Sequence, residues 1–224
     1  MRIIAFETCR VTALFPFEEV TPLGGVSDLD IVEKIKARYA FAKAPDLATA
    51  EVSKNGYKFE TGKFSFESTP ARIADFAVYR DGIVINASKT NVAEAFLDDV
   101  ISFMQKEFSF REFMTPPRRY FQSQIVVEFD RTPEKLINSL NAIASAVSEP
   151  LVAIYGVKIP MKFARLDFDA DKENLSFPAP ATVHKFIIER RLNIPFAKER
   201  FFCSAPMRTD THVAVLEKIE TLME

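Results

Sequence analysis

An α+β fold, antiparallel sheet with a hairpin meander and about four helices packed on it, is predicted from three observations in the 224-residue sequence. Turn pairs of the Asn-Gly and Asp-Gly kind separate short alternating runs between residues 48 and 87. Amphipathic stretches begin at Ser, Thr, Asn or Asp caps. The strands come in groups interrupted by helices, which is not the βαβ alternation of a parallel sheet.

Strand formers fill Arg2 to Phe17, and Pro16, which has no N–H to donate, should stop the ladder. "TPLGGVSDLD" then reads as a loop entering a helix. Ser27 and Asp30 have the spacing of a capping box, and Asp28 and Asp30 suit the positive helix end. Leu29, Val32, Ile35 or Lys36, and Tyr39 form its stripe, with Pro45 closing it. Asn55-Gly56, Thr61-Gly62 and Asp81-Gly82 supply the positive φ that tight hairpins need, so residues 48–87 are expected to make four or five antiparallel strands.

"KTNVAEAFLDDVISFMQKEF" is a helix capped by Thr90 or Asn91, burying Phe96, Leu97, Val100 and Met104. "YFQSQIVVEFD" is a strand, and "RTPEKLINSLNAIASAV" a helix with Thr132 at its cap and Pro133 in its first position. Further strands are expected near 151–159, 161–169, 182–191 and 199–204. A last helix is capped by Asp210 or Thr211, with Val215, Leu216, Ile219, Leu222 and Met223 on its apolar side. The runs "IVINASKTNVAEAFLDDVISFM" and "IVVEFDRTPEKLINSLNAIASAV" share one order: strand, basic residue, Thr, helix. That order fits two similar lobes, 1–115 and 116–224, divided at "FMTPPRR", and also one continuous domain.

Composition narrows function by exclusion. With 29 basic and 31 acidic residues, no overall field draws the chain to nucleic acid or anionic lipid. Two distant cysteines, Cys9 and Cys203, and no secretory or membrane run in "MRIIAFETCR" favour reduced thiols in the cytoplasm and no membrane partner. Six glycines form no phosphate-cradling pattern, so no cofactor is expected. The 22 phenylalanines are an excess that either core filling or an interface would explain.

"RLDFDADKEN" holds the most suggestive carboxylates, Asp167, Asp169 and Asp171. A calcium loop counted from Asp167 needs Gly sixth and Glu twelfth, where Lys172 and Pro178 stand. A magnesium pair, Asp167 with Asp169, would support a metal-dependent hydrolase or nuclease. The alternation equally describes the wet face of a strand whose Leu166 and Phe168 point inward, and that reading is preferred. His184 alternates with Phe186 and Ile188, which predicts a half-buried position. Ser204 or Cys203 with His212 and Asp210 could form a triad, but "FFCSAPM" lacks a Gly-flanked nucleophile turn. Arg118, Arg119 and Tyr120, with Arg190 and Arg191, have the composition of a single-strand surface and equally of a protein interface. Glu189 and Glu199 beside them predict internal ion pairs. The sequence therefore favours a non-catalytic module that contacts protein partners or its own copies, with the metal enzyme and the nucleic-acid module as alternatives.

Overall fold

A computed structural model describes residues 1–47, 56–130, 144–150, 152, 156–157, 162–170 and 184–222. The fold is α+β, and the chain forms two compact units. The first comprises Glu7–Ser123 with Met207–Thr209, the second Met1–Phe6, Gln124–Pro206 and Asp210–Glu224.

In the first unit the strands are β2 (Cys9–Leu14), β3 (Tyr57–Phe66), β4 (Thr69–Tyr79), β5 (Gly82–Ala87) and the first half of β6 (Arg118–Glu128). Their order is β3-β4-β5-β2-β6, and each of these pairings is antiparallel. Val11 and Ala13 of β2 lie on the same buried side as Ile73 and Phe76 of β4 and Ile83 and Ile85 of β5. Two helices, α2 (Asp28–Arg38) and α3 (Thr90–Phe108), cover that side through Val32 and Ile35 and through Phe96, Leu97, Val100 and Met104. Their contacts recur at intervals of three and four residues, the period of one helix face.

Phenylalanine fills this core. Phe41, Phe59, Phe76 and Phe96 are all buried, with Phe59–Phe76 centroids 5.5 Å apart and Phe76–Phe96 5.6 Å. The Tyr39 ring meets Phe96 edge-on at 4.8 Å while its hydroxyl donates to Asp99 at 2.7 Å. Gly62 is required because a Cβ there would stand 2.4 Å from the Phe41 ring. Gly82, at φ 151°, would bring a Cβ within 2.1 Å of the Ala13 carbonyl oxygen. Among the described phenylalanines only Phe168 and Phe196 are exposed, so the excess is mainly core.

The second unit holds β1 (Arg2–Phe6), the second half of β6, β7 (Arg165–Phe168), β8 (Phe186–Arg190), β9 (Arg200–Ala205) and most of α4 (Thr209–Thr221). From β6 the order continues β9-β8-β7, and β1 also pairs with β6 through a register shift between Ile3 and Ala5. Ile125, Val127, Phe129, Ile188, Phe201, Cys203 and Leu216 form its core. The N-terminal amine donates to Asp130 and Glu220.

Several local expectations need correcting. Thr61-Gly62 does not turn the chain: Thr61 takes φ 57° as an irregularity inside β3, and β3 continues to Phe66. The turn falls instead at Glu67 and Ser68, both at positive φ, so the described part of the meander has three strands rather than four or five. Helix α2 ends at Arg38, well before Pro45, because Ala40 adopts φ 47° and turns the chain toward β3. Ser27 caps α2 as expected, accepting from the Asp30 N–H at 3.4 Å, but Leu29 is exposed.

Lys89, not Thr90, occupies the N-cap of α3, and Thr90 is committed elsewhere. The Thr90 and Thr209 N–H groups each donate to the other's hydroxyl, at 3.0 and 2.8 Å. The Thr209 hydroxyl in turn contacts Cys9 Sγ at 3.5 Å. Residues 144–150 are helical, whereas 131–143, with the expected cap at Thr132 and Pro133, lie outside the described residues. So do Asn55, Asp171 and most of the strand expected at 151–159. On α4, Leu216 is buried as expected and His212 is buried four residues before it, while Leu222, just past the helix end, is exposed.

Candidate interaction surface

Beyond β2 the chain makes a single helical turn, α1 (Phe17–Val20). Pro16 supplies an extended N-cap and Glu18 and Glu19 occupy the first turn, where carboxylates meet unpaired N–H groups. Thr21 closes it by donating its hydroxyl to the Phe17 carbonyl at 2.9 Å. Gly25, at φ 72°, donates to Pro22 at 3.0 Å and completes a turn into α2.

The segment after α3 is fastened to this turn. Arg111 donates its N–H to Val20, Nε to the Thr21 carbonyl at 3.0 Å and Nη2 to the Glu18 carbonyl at 2.8 Å. The Met114 N–H donates to Glu19 Oε1 at 3.2 Å. Rings add to the fastening: Phe15 meets Phe113 at 4.8 Å and Phe17 meets Phe110 at 5.6 Å, both edge-on.

Two side chains stand out from this frame. Leu23 is 93% exposed and Met114 88% exposed. Both have neighbours held by backbone and ring contacts, so the apolar groups are presented on ordered structure. Two adjoining apolar cavities of about 50 and 30 Å³ share Phe17, Ile83, Val100 and Met104, and the second is also lined by Val20, Arg111 and Phe113. Asp28 lines the first, accepting from the Tyr57 hydroxyl at 2.7 Å. Partial burial, then the Asp28 carboxylate, push the Tyr57 phenol up to about 12. A cavity this small takes the tip of an apolar side chain, whereas small-molecule sites run to roughly 300–1,000 Å³.

The other proposed binding residues are placed as follows. Arg119 is bonded to Asp98 at 2.6 Å and lies 3.6 Å from Glu94. Glu94 is shared with Arg208, whose guanidinium lies 4.4 Å over the Phe121 ring. The bond from Arg208 holds the Glu94 carboxyl below the ordinary carboxylate range. Arg118 is exposed and Tyr120 half-buried on the same strand. In the second unit Arg190 bonds Glu199 at 3.0 Å and stacks on Phe196 and Phe201 at 4.5 and 4.9 Å. The Arg191 side chain is exposed.

Asp167 lies on β7 and Asp169 just beyond its end. Arg165 donates to both oxygens of Asp167, at 2.6 and 2.9 Å, which holds that carboxyl below its usual range. Asp169 is 3.4 Å from Lys185. Among the described residues no group of three or more His, Cys, Asp or Glu side chains is placed to hold a metal ion. Leu166 is half-buried as the strand alternation predicts, but Phe168 is exposed at the strand end.

The imagined triad is not assembled. Cys203 is a core residue whose thiol burial pushes upward, and Asp210 is exposed. His212 is wholly buried, and neither ring nitrogen has a hydrogen-bond partner among the described residues. Burial lowers the imidazole to about 4. His184, expected on the apolar side of its strand, is exposed because β8 begins only at Phe186.

No protein-family model matches the sequence, and no curated protein matches it. Among the described residues no helix is long and apolar enough to cross a membrane.

The sequence reading did not single out Leu23 and Met114, the two exposed apolar side chains of this frame. The available signal was a large apolar residue set in turn-forming sequence, "TPLGG" and "FMTPP", where the chain offers it no periodic face to join.

Proposed function

We propose that the chain is a non-catalytic module that works through protein–protein contact, by self-association or as a subunit of a larger complex. The face built on α1 makes the contact. The observation that carries this reading is the pair Leu23 and Met114, almost fully exposed on segments that hydrogen bonds and ring contacts fasten to α1. Large apolar side chains presented this way lose little freedom on binding and gain apolar burial, which is how interface anchors work. Cys9 and Cys203 are buried and free, which fits a reducing, cytoplasmic setting.

The alternatives draw less support. Asp167 and Asp169 each face a cation of their own unit, so a hydrolase would have to break both pairs before loading a metal. Arg119 and Arg190 are bonded to carboxylates, which weakens a phosphate-tracking surface.

The test is light scattering with mild co-purification, comparing the parent chain with Leu23→Glu/Met114→Glu. The parent should give a species heavier than the 25.4 kDa chain, or retain a stoichiometric companion. The double variant should lose it without a change in melting temperature. A parent that is strictly monomeric and companionless contradicts the reading.

A further inference from the structure

The antiparallel sheet of the first unit has two faces, and α2 and α3 cover the one that holds Val11, Ile73 and Ile85. Alternation sends every second side chain to the other face. Cross-strand register there aligns Lys58, Ala77, Val84, Thr12 and Tyr120 in one row from β3 to β6. Tyr79, Gly82, Leu14 and Arg118 form the row beside it. Arg10 stands opposite Asn86 and Gln122, and Lys63 opposite Arg72 toward the β3–β4 turn. Arg10, Lys58, Lys63, Arg72, Tyr79 and Arg118 are exposed, and Tyr120 is half-buried.

Cations outnumber acids on this face. Its carboxylates are Glu60, 3.1 Å from both Lys43 and Lys58, and Asp75, which accepts from Asn86 at 2.8 Å. Arg10 gives one N–H to Asn86 at 3.0 Å, and Arg72 reaches the Thr61 hydroxyl at 3.5 Å. The Lys63 and Arg118 side chains meet no carboxylate among the described residues. Arg119, the next position on β6, is paired with Asp98 and Glu94 of α3, so alternation along the strand separates a paired arginine from an unpaired one.

We infer that this open sheet face binds single-stranded nucleic acid, with Arg10, Lys63, Arg72 and Arg118 meeting phosphates while bases lie on Tyr120 and Tyr79. An acidic peptide would answer the charge alone; the two rings among the cations favour bases, each of which has a flat face to stack. Ala77, Gly82 and Thr12 keep the ground between the rings low. Four strand spacings of about 4.8 Å make the platform roughly 19 Å wide, at least as wide as the four-stranded sheets on which two or three bases stack. A duplex hides its base faces, so the single strand is the form that fits. The face includes no residue of α1, nor Leu23 or Met114, so the inference goes beyond the interaction reading and does not depend on it.

The probe is a fluorescein-labelled oligouridylate of about 12 nucleotides, titrated with the full chain and followed by anisotropy. Duplex RNA of the same length and polyglutamate are the controls. Saturable binding is expected for the single strand, weakening as salt rises, with less for either control. Arg118→Gln/Lys63→Gln should weaken it about tenfold or more and reduce the slope of log Kd against log salt by about 1.4, at about 0.7 for each lost cation. Tyr120→Ala should weaken it about fivefold or more with the slope unchanged, and Tyr120→Phe should restore it. Leu23→Glu/Met114→Glu should bind as the parent does. No binding by the parent, or binding that Arg118→Gln/Lys63→Gln leaves unchanged, overturns the inference. Polyglutamate held as tightly as the oligouridylate, with Tyr120→Ala silent, overturns it in favour of an acidic protein partner.

Discussion

His212 offers a prediction whose size follows from its surroundings. Its ring is fully buried, meets Phe186 edge-on at 5.9 Å, and has no hydrogen-bond partner among the described residues. A cation there would be stripped of water without compensation, so the folded chain keeps the imidazole neutral down to about pH 4 against an ordinary 6.5. The unfolded chain takes up a proton first as pH falls through 6.5. The stability tied to the neutral ring is thus fully present above 6.5, drains between 6.5 and 4, and levels off below. The separation from 6.5 to about 4, at about 1.4 kcal/mol per pH unit, gives roughly 3 kcal/mol in total, of which about 2 kcal/mol is gone by pH 5. The part of that window between pH 7 and pH 5 lies above the ordinary carboxylate values of 4.5 and 3.8, from which Glu94 and Asp167, both held low by arginine, begin to lose their own contribution as pH falls. Urea unfolding at pH 7 and pH 5, followed by circular dichroism in a His184→Gln background, isolates the effect. The parent should lose about 2 kcal/mol between the two conditions, while His212→Leu should lose little. Equal losses in the two proteins would show that His212 is not held neutral by burial.

Three further outcomes follow from the packing and the ion pairs. Phe96→Ala empties the centre of the aromatic cluster and should cost about 3–5 kcal/mol, read as a large fall in melting temperature. Gly62→Ala forces a methyl into the Phe41 ring and should cost about 1–3 kcal/mol, whereas a neutral effect would show that Phe41 moves aside freely. Magnesium or manganese should leave the melting temperature of the parent and of Asp167→Ala/Asp169→Ala unchanged; a metal-dependent rise in the parent, lost in the variant, would favour the hydrolase reading.

The sequence was most legible where one local rule acted without competition. The Ser27 cap, the buried stripe Phe96, Leu97, Val100 and Met104, and the antiparallel class all follow from cap chemistry and periodicity. It misled where tertiary contact overrode local preference. Thr61-Gly62 has a turn composition, yet Gly62 is there because the Phe41 ring lies against it, a contact no window of sequence contains. Thr90 has the composition of a cap but serves Thr209, more than a hundred positions away. The phenylalanine excess could not be assigned from composition, since core and interface draw on the same apolar residue; the ring contacts around Phe76 assign it mainly to the core. The candidate surface was the least legible of all. Its anchors lie in loops, where no period distinguishes a residue that packs from one that does not.

The central claim is that Leu23 and Met114 are contact residues and not accidents of a loop. Light scattering of the parent chain beside Leu23→Glu/Met114→Glu, with both melted in parallel, measures it most directly. The account predicts that association, or a stoichiometric companion, disappears in the double variant while the melting temperature stays where it was. A variant that keeps the parent's mass and companions with both anchors charged would contradict it.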